Sequence, residues 1–240
     1  MLRERVFRRA RPSGTMRWLR RGVLPGLRRP DLNLVLGSPA VFSSLGIADW
    51  VADALGDMAA DWPSRPTVIV AYDLKKRERT PFGTEAAPPA ELRKAVAASA
   101  AVPGIFQPVW IEGRWFVDGG IASGTSVDLV LGSERPLDLI IVIAPLAASE
   151  RRPGARFYED IFDRFGRSAL EAEIALVKQH WPATDILVLR PDQRVLAATR
   201  PNPMSTEAAV PAFLRTIRSM KHELAASPTW NLLARHLVRD

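Results

Sequence analysis

The sequence predicts an α/β protein, because apolar β-branched runs alternate along it with segments of helical periodicity. The run at 67–72 is short and apolar, which is typical of a buried strand. The run at 137–144 is almost continuously apolar, which is typical of a parallel strand covered on both faces. Residues 109–117 consist of two apolar runs joined at Glu112-Gly113 and predict a β-hairpin.

The other elements are justified in the same way. Segments whose apolar residues recur at helical spacing lie at 43–58, 91–102, 158–179, 206–225 and 229–238. Apolar runs of strand length lie at 31–37 and 185–189. Prolines end the first two helices, at Pro63 and at Pro103. Alternating strands and helices with short connections indicate an α/β layer fold.

Composition bounds the size and the chemistry of the protein. A chain of 240 residues, 47% hydrophobic and 25% charged, has the composition of one large globular domain or two small ones. It contains no cysteine, which excludes disulfides, iron–sulfur clusters, thiolate zinc sites and cysteine nucleophiles. All three histidines, His180, His222 and His236, lie in the last third of the chain. A multi-histidine metal site is therefore not expected, and a carboxylate is favoured as a catalytic base.

The net charge of +7 is concentrated at the N-terminus. Residues 1–30 contain ten arginines and a single acidic residue, Glu4, whereas the rest of the chain is close to neutral. We therefore divide the chain into an arginine-rich arm at 1–30 and an α/β domain at 31–240. The arm fits either a solvated helix or short amphipathic turns on an anionic membrane surface. Nucleic acid is not expected as a partner, because no nucleic-acid-binding motif accompanies the charge.

The sequence carries no pattern for secretion or membrane insertion. The arm lacks the uninterrupted apolar segment of a signal peptide. The longest apolar run, 139–148, contains Pro145 and is too short to span a bilayer. We expect a cytoplasmic protein that touches membranes only at their surface.

One ionisable side chain stands where catalytic groups collect in α/β folds. Asp118 follows the second hairpin strand and precedes Gly119 and Gly120. Glycines there let the chain turn sharply and let a ligand or another backbone approach the carboxylate. Taken alone, the triplet is more often a turn aspartate that caps its own loop. The surrounding sequence decides between these two interpretations.

Those surroundings resemble the patatin-like phospholipases, in particular bacterial members. Residues 97–120 contain a helix ending in A-x-P-G-x-F-x-P, then a hairpin and then D-G-G, in the order of that family. Further matches are Ala71-Tyr72-Asp73-Leu74, Phe82-Gly83, Val127-Asp128-Leu129 and Asn202-Pro203-Met204. The resemblance extends over roughly residues 67–225.

The resemblance implies a three-layer α/β/α fold with a mainly parallel sheet. It also implies that a serine–aspartate dyad hydrolyses a lipid or another acyl ester without metal or cofactor, with Asp118 as the base. In the family the serine lies on the strand-to-helix turn of G-x-S-x-G, and a glycine-rich loop donates to the oxyanion. Trp110 and Trp115 on the hairpin are candidates for the wall of an acyl pocket, with core packing as the alternative.

The chain departs from the family pattern at the nucleophile. It contains no G-x-S-x-G, because the stretches beginning at Gly124 and Gly166 both lack the final glycine. It also lacks a glycine-rich oxyanion loop, since residues 22–26 are interrupted and follow no predicted strand. The strand, elbow and helix that carry the serine in the family are missing. We therefore predict a C-terminal portion of such a hydrolase, with no nucleophile and no activity by itself.

Other functions and other nucleophiles stay as alternatives. A pseudo-hydrolase would bind a lipid or a partner without turnover, and a basic-armed nucleic-acid binder would have a steeply salt-dependent affinity. Ser99 is explained by helix packing, and Ser123 and Ser126 by hydrogen bonds to their own backbone. His180 is expected to cap a helix. The oligomeric state is left open.

Overall fold

The computed structural model describes residues 6–9, 40–145, 157–198 and 206–237. Most of the arginine-rich arm, the strand expected at 31–37 and the Asn202-Pro203-Met204 loop lie outside the described residues. The chain divides into two compact units, Met1–Ala122 and Ser123–Asp240. The two units are described separately.

The first unit contains a four-stranded antiparallel sheet. Its strands are β1 (Ile69–Asp73), β2 (Glu78–Phe82), β3 (Val109–Ile111) and β4 (Arg114–Asp118), in the spatial order β2-β1-β4-β3. Hairpins connect β1 to β2 and β3 to β4, so each strand runs opposite to its neighbours. β4 is therefore held on both edges.

The predicted β3–β4 hairpin is confirmed. Glu112 and Gly113 both have positive φ, 44° and 77°, as a two-residue turn of type I′ requires. Strand β2 was not predicted as a strand from its pattern, because it is charged and contains Pro81. Its position at the edge of the sheet explains this, since a proline there removes no hydrogen bond from a central ladder.

Among the described residues, two α-helices of more than one turn accompany this sheet. Helix α1 (Leu45–Leu55) continues into a 3₁₀ turn at Gly56–Ala59, and α2 (Leu92–Ser99) precedes β3. Apolar side chains of α2 and of one sheet face form a buried core: Ala71, Phe82, Ala95, Ala98, Ile111 and Phe116. The rings of Phe82 and Phe116 meet edge to face, with centroids 5.0 Å apart. This core fixes the face of the sheet on which α2 lies.

A fully buried carboxylate joins three strands of the sheet. Asp73 Oδ1 accepts hydrogen bonds from the backbone N–H groups of Lys75 and Lys76, at 2.7 and 3.0 Å. Its Oδ2 accepts from Arg114 Nη1 at 2.7 Å. Asp73 therefore caps the β1–β2 turn and ties it to the first residue of β4. The Arg114 guanidinium also lies over the Phe116 ring, 5.4 Å from its centroid.

The second unit contains a two-stranded parallel sheet. Strands β5 (Leu139–Ile143) and β6 (Asp185–Leu189) are connected through helix α3 (Phe157–His180). Leu170 and Val177 of α3 pack on Ile140 and Val142 of β5. Three helices follow β6, at Gln193–Ala198 (α4), Thr206–Ala225 (α5) and Ser227–Leu237 (α6). Of these, α4 was not predicted.

The expectation that β5 is covered on both faces is wrong for the described residues. Burial alternates along the strand, and Ile141 and Ile143 are 51% and 71% exposed. A mainly parallel sheet is not confirmed either, since among the described strands the four of the first unit are antiparallel and β5 and β6 form the one parallel pair. Tight hairpins account for this, because they can join only antiparallel strands. The coarser prediction of helices layered on sheets agrees with the structure.

Within the described residues, no helix is both long enough and apolar enough to cross a membrane.

Replacing Asp73 tests the ion pair that joins the strands. We expect Asp73→Ala to lower the free energy of unfolding by about 3–5 kcal/mol, because it leaves the Arg114 guanidinium unpaired in a partly buried site. Chemical denaturation followed by circular dichroism measures the change. The matched control is Glu78→Gln, which breaks the exposed Lys76–Glu78 pair and is expected to change stability by less than about 1 kcal/mol. Equal losses for the two variants would contradict the role given to Asp73.

Candidate active site

Asp118 is the last residue of β4 and is held by its backbone on two sides. It pairs with Ala71 of β1, and its N–H donates to the Ala101 carbonyl at 3.0 Å. A short 3₁₀ turn, Gly119–Ile121, follows at once. Asp118 Oδ1 accepts the Gly120 N–H at 2.7 Å. The carboxylate thus caps its own turn, as one of the two interpretations predicted.

The cap occupies only one oxygen of the carboxylate. Among the described residues, Asp118 Oδ2 has no hydrogen-bond partner. Burial raises the pKa of the Asp118 carboxyl above its ordinary value, and the Gly120 hydrogen bond lowers it by less. A carboxylate of raised pKa with one uncommitted oxygen is a better proton acceptor than an exposed aspartate. The geometry is therefore compatible with both a cap and a base.

Close contacts constrain the two glycines after Asp118 to different degrees. A Cβ on Gly119 would lie 2.4 Å from the Val70 carbonyl oxygen, so no side chain fits against β1. A Cβ on Gly120 would lie 3.0 Å from Asp118 Oδ1, a tight contact that a small shift of the carboxylate would relieve. The D-G-G sequence thus lets the turn lie flat against β1 while the Gly120 N–H reaches Asp118.

Candidate serines of the second unit lie in a tightly bonded loop. Ser123 Oγ accepts the N–H groups of Thr125 and Ser126, at 3.2 and 2.9 Å. Glu173 of α3 accepts from the Thr125 hydroxyl and from the Val127 N–H, both at 2.9 Å. The prediction that Ser123 bonds its local backbone is confirmed. No sequence pattern indicates the role of Glu173, because this residue lies far along the chain from the loop that it holds.

The remaining serine and histidine candidates occupy ordinary structural positions. Ser99 is the last residue of α2 and is partly buried. His180 ends α3, and its Nδ1 lies 2.9 Å from the Leu176 carbonyl oxygen, which confirms the predicted cap. His236 Nε2 lies 2.8 Å from Asp185 Oδ2. This hydrogen bond lowers the pKa of the Asp185 carboxyl below its ordinary value. The described residues contain no group of three histidines and carboxylates that could hold a metal ion.

The two tryptophans face solvent rather than the core. Trp110 and Trp115 are paired across β3 and β4, with ring centroids 4.8 Å apart, and are 52% and 47% exposed. Trp110 lines an open groove of about 640 Å³, together with Glu91 and Lys94 near the start of α2. Core packing was therefore the wrong alternative for both residues. Their role in an acyl pocket stays a prediction.

A known protein family matches part of the chain. The family described as Patatin-like phospholipase matches residues 16–131, slightly less than half of the chain. The predicted resemblance is thus confirmed for this segment, which includes Asp118 and begins well before residue 67. The C-terminal part of the predicted resemblance lies outside the match. No curated protein matches the chain.

A methyl group at Gly119 tests the close approach of the D-G-G turn to β1. We expect Gly119→Ala to destabilise the protein by about 1–3 kcal/mol, because its Cβ would overlap a backbone oxygen that cannot move freely. Gly132→Ala is the control, since nothing lies within 4 Å of its Cβ position. Thermal melts of the two variants give the comparison. A Gly119→Ala variant as stable as its control would contradict this contact.

The raised pKa of Asp118 predicts a pH-dependent gain in stability on its removal. The folded protein holds this proton more tightly than the unfolded chain, so stability falls as pH rises from the unfolded pKa, about 3.9, through the raised folded value. Asp118→Asn keeps an acceptor for the Gly120 N–H and removes the charge. The variant should melt above the wild type at neutral pH, and this advantage should vanish in acid.

Asp128→Asn is the control for this measurement. Asp128 lies in the first turn of the 3₁₀ helix Val127–Gly132, where a negative charge is favourable. Its removal should not stabilise the protein at any pH. Melting temperatures of both variants are measured across the acid range. If the two variants showed the same pH profile, desolvation of Asp118 would be ruled out as the cause of the stability gain in Asp118→Asn.

Proposed function

From the patatin-like phospholipase match over residues 16–131, we propose that this chain contributes the catalytic aspartate to a lipid acyl hydrolase. The observation that carries the proposal is Asp118, a partly buried carboxylate of raised pKa at the end of β4 with one oxygen free of described partners. The substrate is a carboxylic ester of a phospholipid or another acyl lipid.

In the proposed reaction Asp118 acts as the only side-chain base. It takes the proton from a serine hydroxyl while the serine oxygen attacks the ester carbonyl, and it returns that proton to the departing alcohol. Water then attacks the acyl-serine with the same proton transfers, which releases the fatty acid and restores both residues. The chemistry uses no cofactor and no metal.

The serine comes from outside these 240 residues in this proposal, on a G-x-S-x-G turn. The segment that carries the serine would also complete a three-layer α/β/α domain with a mainly parallel sheet. Residues 31–240 form the larger part of that domain, and residues 1–30 form an arm. Ser123 does not take its place, because its hydroxyl already accepts two backbone N–H groups. The enzyme would act in the cytoplasm, at the surface of a membrane.

A second candidate is a non-catalytic protein that binds lipid or a partner. The absence of G-x-S-x-G from the sequence favours it. Such a protein would bind lipid as the first candidate does, but it would not hydrolyse it. The two are separated by the coding sequence upstream of Met1 and by the activity of the protein that includes it.

The test compares this chain with a longer chain that adds the upstream coding segment. The 240 residues alone should release no product from p-nitrophenyl esters or phospholipid vesicles, and the longer chain should. In the longer chain, Asp118→Asn should lower kcat by roughly 10²–10⁴, the span for one positioned base. Asp128→Asn should leave kcat unchanged.

Labelling with a fluorophosphonate identifies the nucleophile directly. The longer chain should be labelled on the upstream serine and the 240-residue chain not at all. Stoichiometric labelling at Ser123 or Ser126 would contradict the proposal by placing the nucleophile in this chain. An upstream stretch without G-x-S-x-G, together with lipid binding but no turnover, would establish the non-catalytic candidate instead.

A further inference from the structure

Helix α5 carries an uncovered apolar stripe. Five of its large hydrophobic side chains are exposed: Val210 (64%), Phe213 (64%), Leu214 (50%), Ile217 (42%) and Leu224 (37%). Single exposed hydrophobic residues are common on protein surfaces, whereas five on one helix are not. We call these five residues the α5 stripe.

The stripe occupies a single side of the helix. Its first four members stand at i, i+3, i+4 and i+7, and successive residues of an α-helix are rotated by about 100°, so the five fall within an arc of roughly 100°. Among positions 209–225, the partly buried residues are Ala212, Ser219 and Met220. Ala212 and Ser219 lie on the opposite side of the helix and Met220 borders the stripe, so α5 packs through few residues and leaves the stripe itself uncovered.

Cationic side chains accompany the stripe. Lys221 projects from within its arc, Arg218 borders it and Arg215 lies further round, and all three are exposed. Helix α5 contains two acidic residues, Glu207 and Glu223, against these three cations. Long basic side chains can lay their methylene stems along an apolar surface and keep their charges at a polar boundary. Apolar residues flanked by cations are typical of helices that lie in the interface of an anionic bilayer.

From this arrangement we propose that the α5 stripe docks on an anionic lipid surface, with Phe213 and Ile217 in the acyl boundary and Arg218 and Lys221 at the phosphates. A second copy of the chain fits less well, because a two-fold pairing of the stripes would bring like charges together. The docking surface goes beyond the proposed hydrolysis. Its test measures binding alone, so a failure of turnover does not bear on it.

Site-specific labelling shows which surface meets the lipid. The chain has no cysteine, so Val210→Cys provides one attachment point for an environment-sensitive fluorophore. With vesicles of equimolar phosphatidylcholine and phosphatidylglycerol, its emission should shift to the blue. Met58→Cys is the control, because Met58 is 67% exposed in the first unit and outside the stripe. A shift at Met58 but not at Val210 would overturn the proposal.

Substitutions in the stripe test its share of the binding. Phe213→Ser and Ile217→Ser should each weaken partitioning onto the mixed vesicles by roughly tenfold, while Met58→Ser should not. Arg218→Gln and Lys221→Gln should each weaken it by about fivefold, and only when phosphatidylglycerol is present. Circular dichroism melts check that each variant stays folded.

Two outcomes would overturn the lipid surface. The first is binding that the variants at Phe213, Ile217, Arg218 and Lys221 all leave unchanged, which would assign the binding to another element such as the arginine-rich arm. The second is a dimer that Phe213→Ser converts to a monomer and that vesicles do not dissociate, which would assign the stripe to a second copy. Sedimentation of the wild type with and without vesicles separates these outcomes from the expected one.

Discussion

The buried pairing of Asp73 with Arg114 is the contact on which the arrangement around Asp118 depends. Asp73 closes the β1–β2 turn and binds the guanidinium at the start of β4, so one carboxylate links β2, β1 and β4. A strand that slips by one residue turns every side chain to the opposite face. The ion pair at one end of β4 thereby helps to hold the register that places Asp118 opposite Ala71 of β1 at the other end.

The D-G-G turn illustrates a conflict between stability and chemistry. Charge on Asp118 is disfavoured by its burial, and one hydrogen bond from Gly120 offsets this only in part. A turn built only for stability would expose the carboxylate or bind both of its oxygens. Gly119 lets the turn lie close against β1. Ionisable groups with shifted pKa values are common at functional sites, which supports the proposed role of Asp118 as a base.

The sequence predicted those elements that are determined by residues close together in the chain. The β3–β4 hairpin follows from Glu112-Gly113, and the D-G-G cap follows from residues within two positions of Asp118. Features with distant causes were missed or misassigned. Pro81 is accommodated because its strand lies at the edge of the sheet, and that position is set by the order of the strands. The exposure of one side of β5 depends on which elements pack on the strand. The raised pKa of Asp118 likewise depends on burial, which no spacing in the sequence encodes.

Helix α5 also shows that a sequence pattern predicts an element without showing what packs against it. Its periodicity predicts a helix with an apolar side, and the usual inference is that this side faces a core. In the structure that side is exposed, so the pattern indicates a surface outside the chain. Charges attract over about a Debye length, roughly 10 Å, whereas apolar side chains bind only on contact. The docking proposed for α5 combines the two, because Arg218 and Lys221 accompany the stripe on the same helix.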